Sequence, residues 1–147
     1  MKRNILNIIT LLSVSIAALS CSQELPYNQY DKGSYTIVVS GTASDKSEGT
    51  PLQNIEITLY AAESLAGGEV NVRTTEVRTD SNGSYTLTLG GFSDPISCTI
   101  TASDADNVYG RSQQELRISW SGTSFDEYTG YFYVNDCDFY MEKLLKR

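Results

Sequence analysis

Three cysteines, Cys21, Cys98 and Cys137, are the residues of this chain best suited to covalent chemistry. Around them stand eighteen acidic residues and no histidine. The missing imidazole removes every Ser-His and Cys-His nucleophile pair. It also removes the commonest metal ligand and the usual near-neutral proton carrier. Paired acids are a further candidate for catalysis. Asp126 and Glu127 are adjacent and point apart on a strand, while Asp136 and Asp138 share one face without making a cleft. The chain therefore reads as non-enzymatic, with no catalytic residue, metal or cofactor implied.

Cys21 closes a distinctive run. Lys2 and Arg3 begin it, an apolar stretch from Ile5 to Leu19 follows, and Ala18-Leu19-Ser20 precedes the cysteine. A charged start, a short apolar middle and small residues at the end describe a secretory signal peptide. The stretch is shorter than the roughly 20 residues a membrane-spanning helix needs, and Asn7 and Thr10 interrupt it. This end of the chain resembles the lipobox of bacterial lipoproteins, with Ala18 where that family prefers Leu. The resemblance implies cleavage before Cys21, acylation of its thiol, and anchoring by lipid rather than by a spanning helix. Residues 1–20 are then the signal and 21–34 a lipidated N-terminus and tether. Ser22 rather than Asp at the second mature position resembles the sorting signal for the outer membrane, at its periplasmic face or the cell surface. Removing Lys2 and Arg3 leaves nine bases against eighteen acids, a charge of −9. Such a surface repels nucleic acid and anionic head groups, so the expected partners are the membrane, through the lipid, and a protein of unknown identity.

Three further groups invite a chemical reading. Cys98 and Cys137 both fall on apolar phases of their segments, and exported inward-facing thiols tend to pair. A bridge closing a loop of about forty residues stabilises by roughly 3–4 kcal/mol in the chain-entropy picture; two buried free thiols acting as small apolar residues are the other reading. Asp104 and Asp106, with Asp80 and Asn82, offer oxygen ligands for calcium. The EF-hand spacing is absent, however, and turn-forming loop acids are the simpler account. Trp120, Phe125, Tyr128, Tyr131, Phe132 and Tyr133 form an aromatic group suited to stacking on a sugar or peptide, or to filling a core.

Period-two alternation dictates the elements that must position these residues. Ser22 to Ser34 shows no periodicity and reads as a tether of about 20 Å. Beyond it, Tyr35, Ile37 and Val39 share one face. Ile55, Ile57 and Leu59 share another, and Val70 and Val72 alternate with Asn71 and Arg73. Tyr85, Leu87 and Leu89 follow, then Ile96, Cys98, Ile100 and Ala102, then Leu116, Ile118 and Trp120. Segments at Tyr131 to Val134 and through Cys137, Phe139 and Met141 complete the set. Turn signals stand between them, notably Ser47-Glu48-Gly49-Thr50-Pro51 and Asp80-Ser81-Asn82-Gly83. Helix signals are thin: Ala61 to Ala66 meets Gly67-Gly68 within two turns. The pattern predicts an all-β chain, a single antiparallel β-sandwich of about seven to eight strands over 35–147, prealbumin-like or immunoglobulin-like.

Val39 to Asp104 resembles the carboxypeptidase regulatory-like, or prealbumin-like, domain. The likeness runs through Ser40-Gly41-Thr42-Ala43, Pro51-Leu52-Gln53-Asn54-Ile55, Ile57-Thr58-Leu59 and Thr79-Asp80-Ser81-Asn82-Gly83-Ser84-Tyr85. Asn54 stands where such domains usually have Gly, and Asn tolerates the left-handed backbone that turn needs. The whole chain is similar to the radical SAM-associated putative lipoproteins of Bacteroidetes-type bacteria, through Asp104-Ala105-Asp106-Asn107, Leu116 to Trp120, Tyr128 to Tyr133 and Asp138 to Arg147. That resemblance implies a radical SAM enzyme as neighbour and no catalytic residue. Three functions stay open: a lipid-anchored structural or interaction module, a calcium or glycan binder, and an accessory or substrate of a radical SAM maturation system.

Overall fold

The alternation of Tyr35, Ile37 and Val39 sets the spine of the molecule. In the computed structural model, which describes residues 34–93 and 96–145, they lie on the inward face of β1 (Tyr35–Asp45), the longest strand. Cys21, the signal and nearly all of the tether lie outside the described residues, as do Lys146 and Arg147. The remaining strands are β2 (Glu56–Ser64), β3 (Val70–Arg78), β4 (Ser84–Phe92), β5 (Ser97–Ser103), β6 (Ser112–Arg117), β7 (Ser124–Asp126), β8 (Tyr131–Val134) and β9 (Phe139–Met141). Among the described residues there is no helix; the segment from Ala61 continues β2, where Ala61 pairs with Arg73 and Cys98.

Two sheets face each other, β4-β1-β8-β7 with β9 also on β1, and β3-β2-β5-β6. Their inner faces bury Ile37, Ile57, Leu59, Leu87, Ile100 and Phe132 among others, each worth about 1.5–3 kcal/mol of apolar burial. The second sheet is wholly antiparallel. The first is mixed, which corrects the antiparallel expectation: β8 and β9 both run parallel to β1. The chain leaves the second sheet after β6, forms the β7–β8 hairpin, and lays β8 beside β1 from the same direction. Alternation encodes which face of a strand is buried and carries no signal for its direction.

Between β8 and β9 the chain detours inward at Asn135 to Asp138, with Asp136 at a φ of 58°. The detour enters under Gly41. A Cβ on Gly41 lies 2.0 Å from the Cys137 carbonyl oxygen and 2.5 Å from its carbon. The close approach is tied on every side. Cys137 N–H donates to the Ser40 carbonyl at 3.0 Å. Asp138 Oδ1 accepts from the Thr42 N–H at 2.8 Å and its hydroxyl at 2.9 Å. The Tyr85 hydroxyl, on the residue paired with Gly41, donates to the Cys137 carbonyl.

The turns behave as their residues require. Asp80 Oδ1 accepts from Asn82 N–H at 2.8 Å and Ser84 N–H at 2.9 Å, and Asn54 is left-handed at a φ of 64°. Buried Thr79 donates to the Leu52 carbonyl at 2.6 Å and accepts from Ile55 N–H at 3.0 Å, fixing the Leu52 to Ile55 loop.

Two strand assignments shift. In β3 Asn71, Thr75 and Val77 are half-buried, with Arg73 in the same phase but exposed, leaving Val70 58 % and Val72 50 % exposed. Val77 is in phase with Asn71 and Arg73, so a strand of unbroken period two cannot bury it together with Val70 and Val72. The expected Leu116 to Trp120 strand starts earlier, at Ser112, because β5 pairs from Ser97 to Ala102 along it. Trp120 falls in the turn that follows.

Replacing Gly41 by Ala is expected to destabilise the fold by about 3 kcal/mol or more, since the added carbon collides with backbone rather than a mobile side chain. Denaturant melts of the two proteins measure it; a loss under about 1 kcal/mol contradicts the close approach.

Candidate functional site

The two long seams of the sandwich are unlike each other. Along one, polar contacts stitch β2 and β3 to the end of β4. Asn71 Nδ2 donates to the Gly91 carbonyl at 3.3 Å and to Glu63 Oε2 at 3.2 Å, and buried Glu63 accepts from Ser93 N–H at 2.7 Å. Arg73 stacks its guanidinium 5.9 Å from the Phe92 ring centre. This seam is shut.

Along the other seam, β6 and β7 are both edge strands and face each other. A cleft of about 320 Å³ opens between them, walled by Glu115, Leu116 and Arg117 of β6, the Gly122 to Ser124 turn, and Tyr133 to Asn135. Its ends are closed. At one, Gln114 Nε2 donates to the Asp138 carbonyl at 2.7 Å. At the other, the turn from Ile118 crosses between the sheets, held by Thr123 N–H to the Ser119 carbonyl at 3.1 Å. Gln114 carried no sequence signal; it is a polar residue on the inward phase of β6, found only through its pairing with Ile100. The cleft includes in its lining the hydroxyl residues Thr123, Ser124 and Tyr133 and the charged Glu115 and Arg117. It offers two half-satisfied backbone edges and mixed polar walls.

Cys98 and Cys137 are both buried, free thiols, so the disulfide weighed from the sequence is not formed. Register explains it. Cys137 Sγ lies 3.7 Å from Gln114 Oε1, opposite Ile100, whereas Cys98 lies opposite Leu116. The two thiols thus meet the second sheet at different register positions, and both are free. Burial pushes the Cys98 thiol up to about 12 and raises that of Cys137 as well. Neither has thiolate character at neutral pH.

Two of the acids weighed for calcium, Asp80 and Asp104, bond backbone instead. Asp104 Oδ1 accepts from Asp106 N–H at 3.0 Å, and its Oδ2 accepts from Val108 at 2.9 Å and Tyr109 at 3.1 Å. Among the described residues no group of three histidine, cysteine or acidic side chains is placed to hold a metal ion. The acid that sequence reading missed is Asp45. It is buried at the end of β1, where Oδ1 accepts from Ser47 N–H at 2.7 Å and Glu48 N–H at 2.9 Å. Oδ2 accepts from the Tyr109 hydroxyl at 3.0 Å and faces Lys143 Nζ at 3.5 Å. The Glu48 N–H, then Ser47, Tyr109 and Lys143, hold this carboxyl below its usual range against the opposing pull of desolvation. Its inward position at the tenth residue beyond Tyr35 was available from the alternation alone.

The aromatic group divides. Trp120, Phe125 and Phe132 pack together, with ring centres 4.5–4.9 Å apart, and Phe132 meets Tyr35 edge-on at 4.9 Å. Tyr131 and Tyr133 lie 6.2 Å apart on the outer phase of β8, and Tyr128 is 80 % exposed in the β7–β8 turn. No single stacking platform gathers all six.

No protein-family model matches this chain, and no curated protein matches it. Among solved structures it is similar to a catechol 1,2-dioxygenase of Acinetobacter radioresistens, at a TM-score of 0.53 and 14 % identity over 79 % of this chain. It is also similar to a chlorocatechol 1,2-dioxygenase from Pseudomonas putida, at 0.51 and 12 % over 78 %. The chain spans 54 % and 62 % of those enzymes' lengths. A group B streptococcus pilus 2b backbone protein aligns more loosely, at 0.46 and 18 % identity over 74 % of this chain and 41 % of that one. At these identities the likeness establishes the sandwich fold and no activity.

Two measurements follow. In a Cys21→Ser variant, unreduced protein should expose two reactive thiols on denaturation and close to none when folded; fewer than two on denaturation shows a bridge. A carboxyl held low in the folded state adds stability above its unfolded pKa and loses it as pH falls through the folded value. Asp45→Asn should therefore melt below the parent at pH 7, with the gap narrowing below about pH 4. A gap that does not change with pH contradicts the assignment.

Proposed function

We propose that this protein is a non-enzymatic, lipid-anchored module of the bacterial envelope that receives an extended segment of a partner protein along its open seam. The observation that carries the reading is the meeting of two free strand edges, β6 and β7, over one cleft. An unpaired edge presents N–H and C=O groups in the spacing a further strand needs, and strand addition draws its affinity from main-chain hydrogen bonds. The volume of the cleft, about 320 Å³, is at the small end of ligand pockets, which run from roughly 300 to 1,000 Å³. Its walls mix polar and apolar surface, with Glu115 and Arg117 exposed beside it. These features favour backbone pairing over enclosure of a small molecule.

Anchoring rests on the Cys21 pattern. The absence of histidine removes the commonest activating base, and burial suppresses the Cys98 thiol, which supports a binding role.

Fractionation of the native cells tests the anchor: the parent should pellet with membranes and Cys21→Ser should stay in the supernatant. A photoreactive side chain at Ser124, in the cleft, should then give discrete protein adducts in intact envelopes, while one at Thr86, on the outer face of β4, gives none. Pelleting of the serine variant overturns the anchor, and equal adducts from both positions overturn the seam.

A further inference from the structure

We infer that the end of the sandwich carrying Tyr35 is itself a membrane-seating surface, which presses Trp120 and Tyr128 into the interfacial layer of a zwitterionic bilayer. This inference rests on the anchoring of Cys21 proposed above. Thirteen residues, 22 to 34, separate that cysteine from Tyr35. A coil of that length spans about 20 Å. Strand β1, eleven residues long, covers about 35 Å. A link that is on average shorter than the strand brings the Tyr35 end nearer the bilayer than the Asp45 end.

What gathers at the Tyr35 end is unlike the rest of the surface. The Trp120 ring lies 6.2 Å from that of Tyr35, with one side packed on Phe125 and Phe132 and 52 % of the residue exposed. Tyr128 occupies the turn whose Gly130 carbonyl accepts from Thr36 N–H at 3.0 Å, so it too belongs to this end. The β2–β3 turn joins them. Its Leu65 is exposed, and the preceding Glu63 binds Ser93 next to Phe92, the residue paired with Tyr35. Val70 follows at the start of β3. An indole and a phenol, each with an apolar body and a polar tip, are the side chains that settle at the boundary between head groups and acyl chains. Leu65 and Val70 add apolar area beside them, and single exposed apolar residues elsewhere need no such account.

The far end has exposed apolar residues of its own, Val108, Leu144 and Leu145. They stand among Glu48, Asp104 and Asp106, all exposed or half-buried acids. Burying that end at a membrane means desolvating the acids together with the leucines. By the same measure the Tyr35 end carries Glu69, Asp126 and Glu127, and Asp126 is already engaged in capping the Tyr128 turn. The seating is therefore driven by apolar and aromatic contact, and it favours zwitterionic over anionic lipid.

Trp120 is the only tryptophan of the chain, which gives the test a single reporter. The acylated full-length protein is mixed with phosphatidylcholine vesicles, with and without bromine on the upper acyl chain, and pelleted. The expected result is pelleting, a blue shift of Trp120 emission, and dimming by the brominated lipid. Leu65→Asp with Tyr128→Asp should still pellet but lose the shift and the dimming, whereas Leu145→Asp should behave as the parent. Thermal melts confirm that each variant is folded. Failure of the acylated parent to pellet overturns the anchoring and the seating with it. Pelleting without shift or dimming, or dimming that survives the double variant, overturns the seating alone.

Discussion

The structure depends on one close approach: the backbone of Cys137 passing beneath Gly41. Everything on the first sheet is arranged around it. A side chain at position 41 meets a carbonyl oxygen at 2.0 Å, so only glycine leaves room. The room allows β8 and β9 to share the same edge of β1, above and below the crossing. Without that arrangement β1 has β4 alone as its neighbour, and the last strand with Phe139 and Met141 loses its place in the core. The crossing is also where carbonyl, carboxylate and phenol converge. Tyr85 satisfies the Cys137 carbonyl, and Asp138 satisfies the Thr42 N–H and hydroxyl. Buried polar groups held this way strengthen one arrangement over its competitors, because every alternative leaves one of them without a partner.

The same crossing explains why one seam of the sandwich is open. Gln114 bonds the detour at Asp138, which draws the lower part of β6 toward the first sheet. Above that point the sheets are joined only by the turn from Ile118 to Thr123, and the cleft lies between. The opposite seam has no such gap because β3 turns its polar residues inward. Asn71 and Arg73 find Glu63, Gly91 and Phe92 there. The reversed phase of β3 and the closed seam are thus one fact. The cost of exposing Val70 and Val72 is offset by polar contacts that lock the β3 and β4 edges together.

Much of the fold was legible in the sequence, and the limits are physical. The inward sets Ile55-Ile57-Leu59, Tyr85-Leu87-Leu89 and Ile96-Cys98-Ile100-Ala102 are buried as the alternation requires. Asn54 and the Asp80 turn took the backbone states their chemistry favours. The direction of β8 was not legible, because a parallel and an antiparallel strand share one alternation. Nor was the phase of β3, where three valines fall on two faces and only the tertiary partners of Asn71 and Arg73 decide. The apolar phases of Cys98 and Cys137 were read correctly, yet facing the core does not set distance within it. The open seam had no sequence signal at all: it is made of ordinary strand residues whose significance lies in having no neighbour.

The acidity of the chain takes on a different meaning once the carboxylates are placed. Asp45, Asp80 and Asp104 each accept two or more backbone N–H groups at the end of the molecule where β1 finishes. They act as caps for turns, which need acceptors for N–H groups that no strand supplies. The opposite end meets the same need by the same means. Left-handed glycines stand at both ends, Gly49 and Gly83 beside Asp45 and Asp80, and Gly67, Gly68 and Gly130 at the other, where Asp126 caps the Tyr128 turn. What distinguishes that end is that Leu65, Val70, Trp120 and Tyr128 are exposed beside its turns. The chain thereby acquires an acidic end and an apolar end without any residue being spent for charge alone. Because β1 begins at the apolar end, the segment leading back to Cys21 leaves from there.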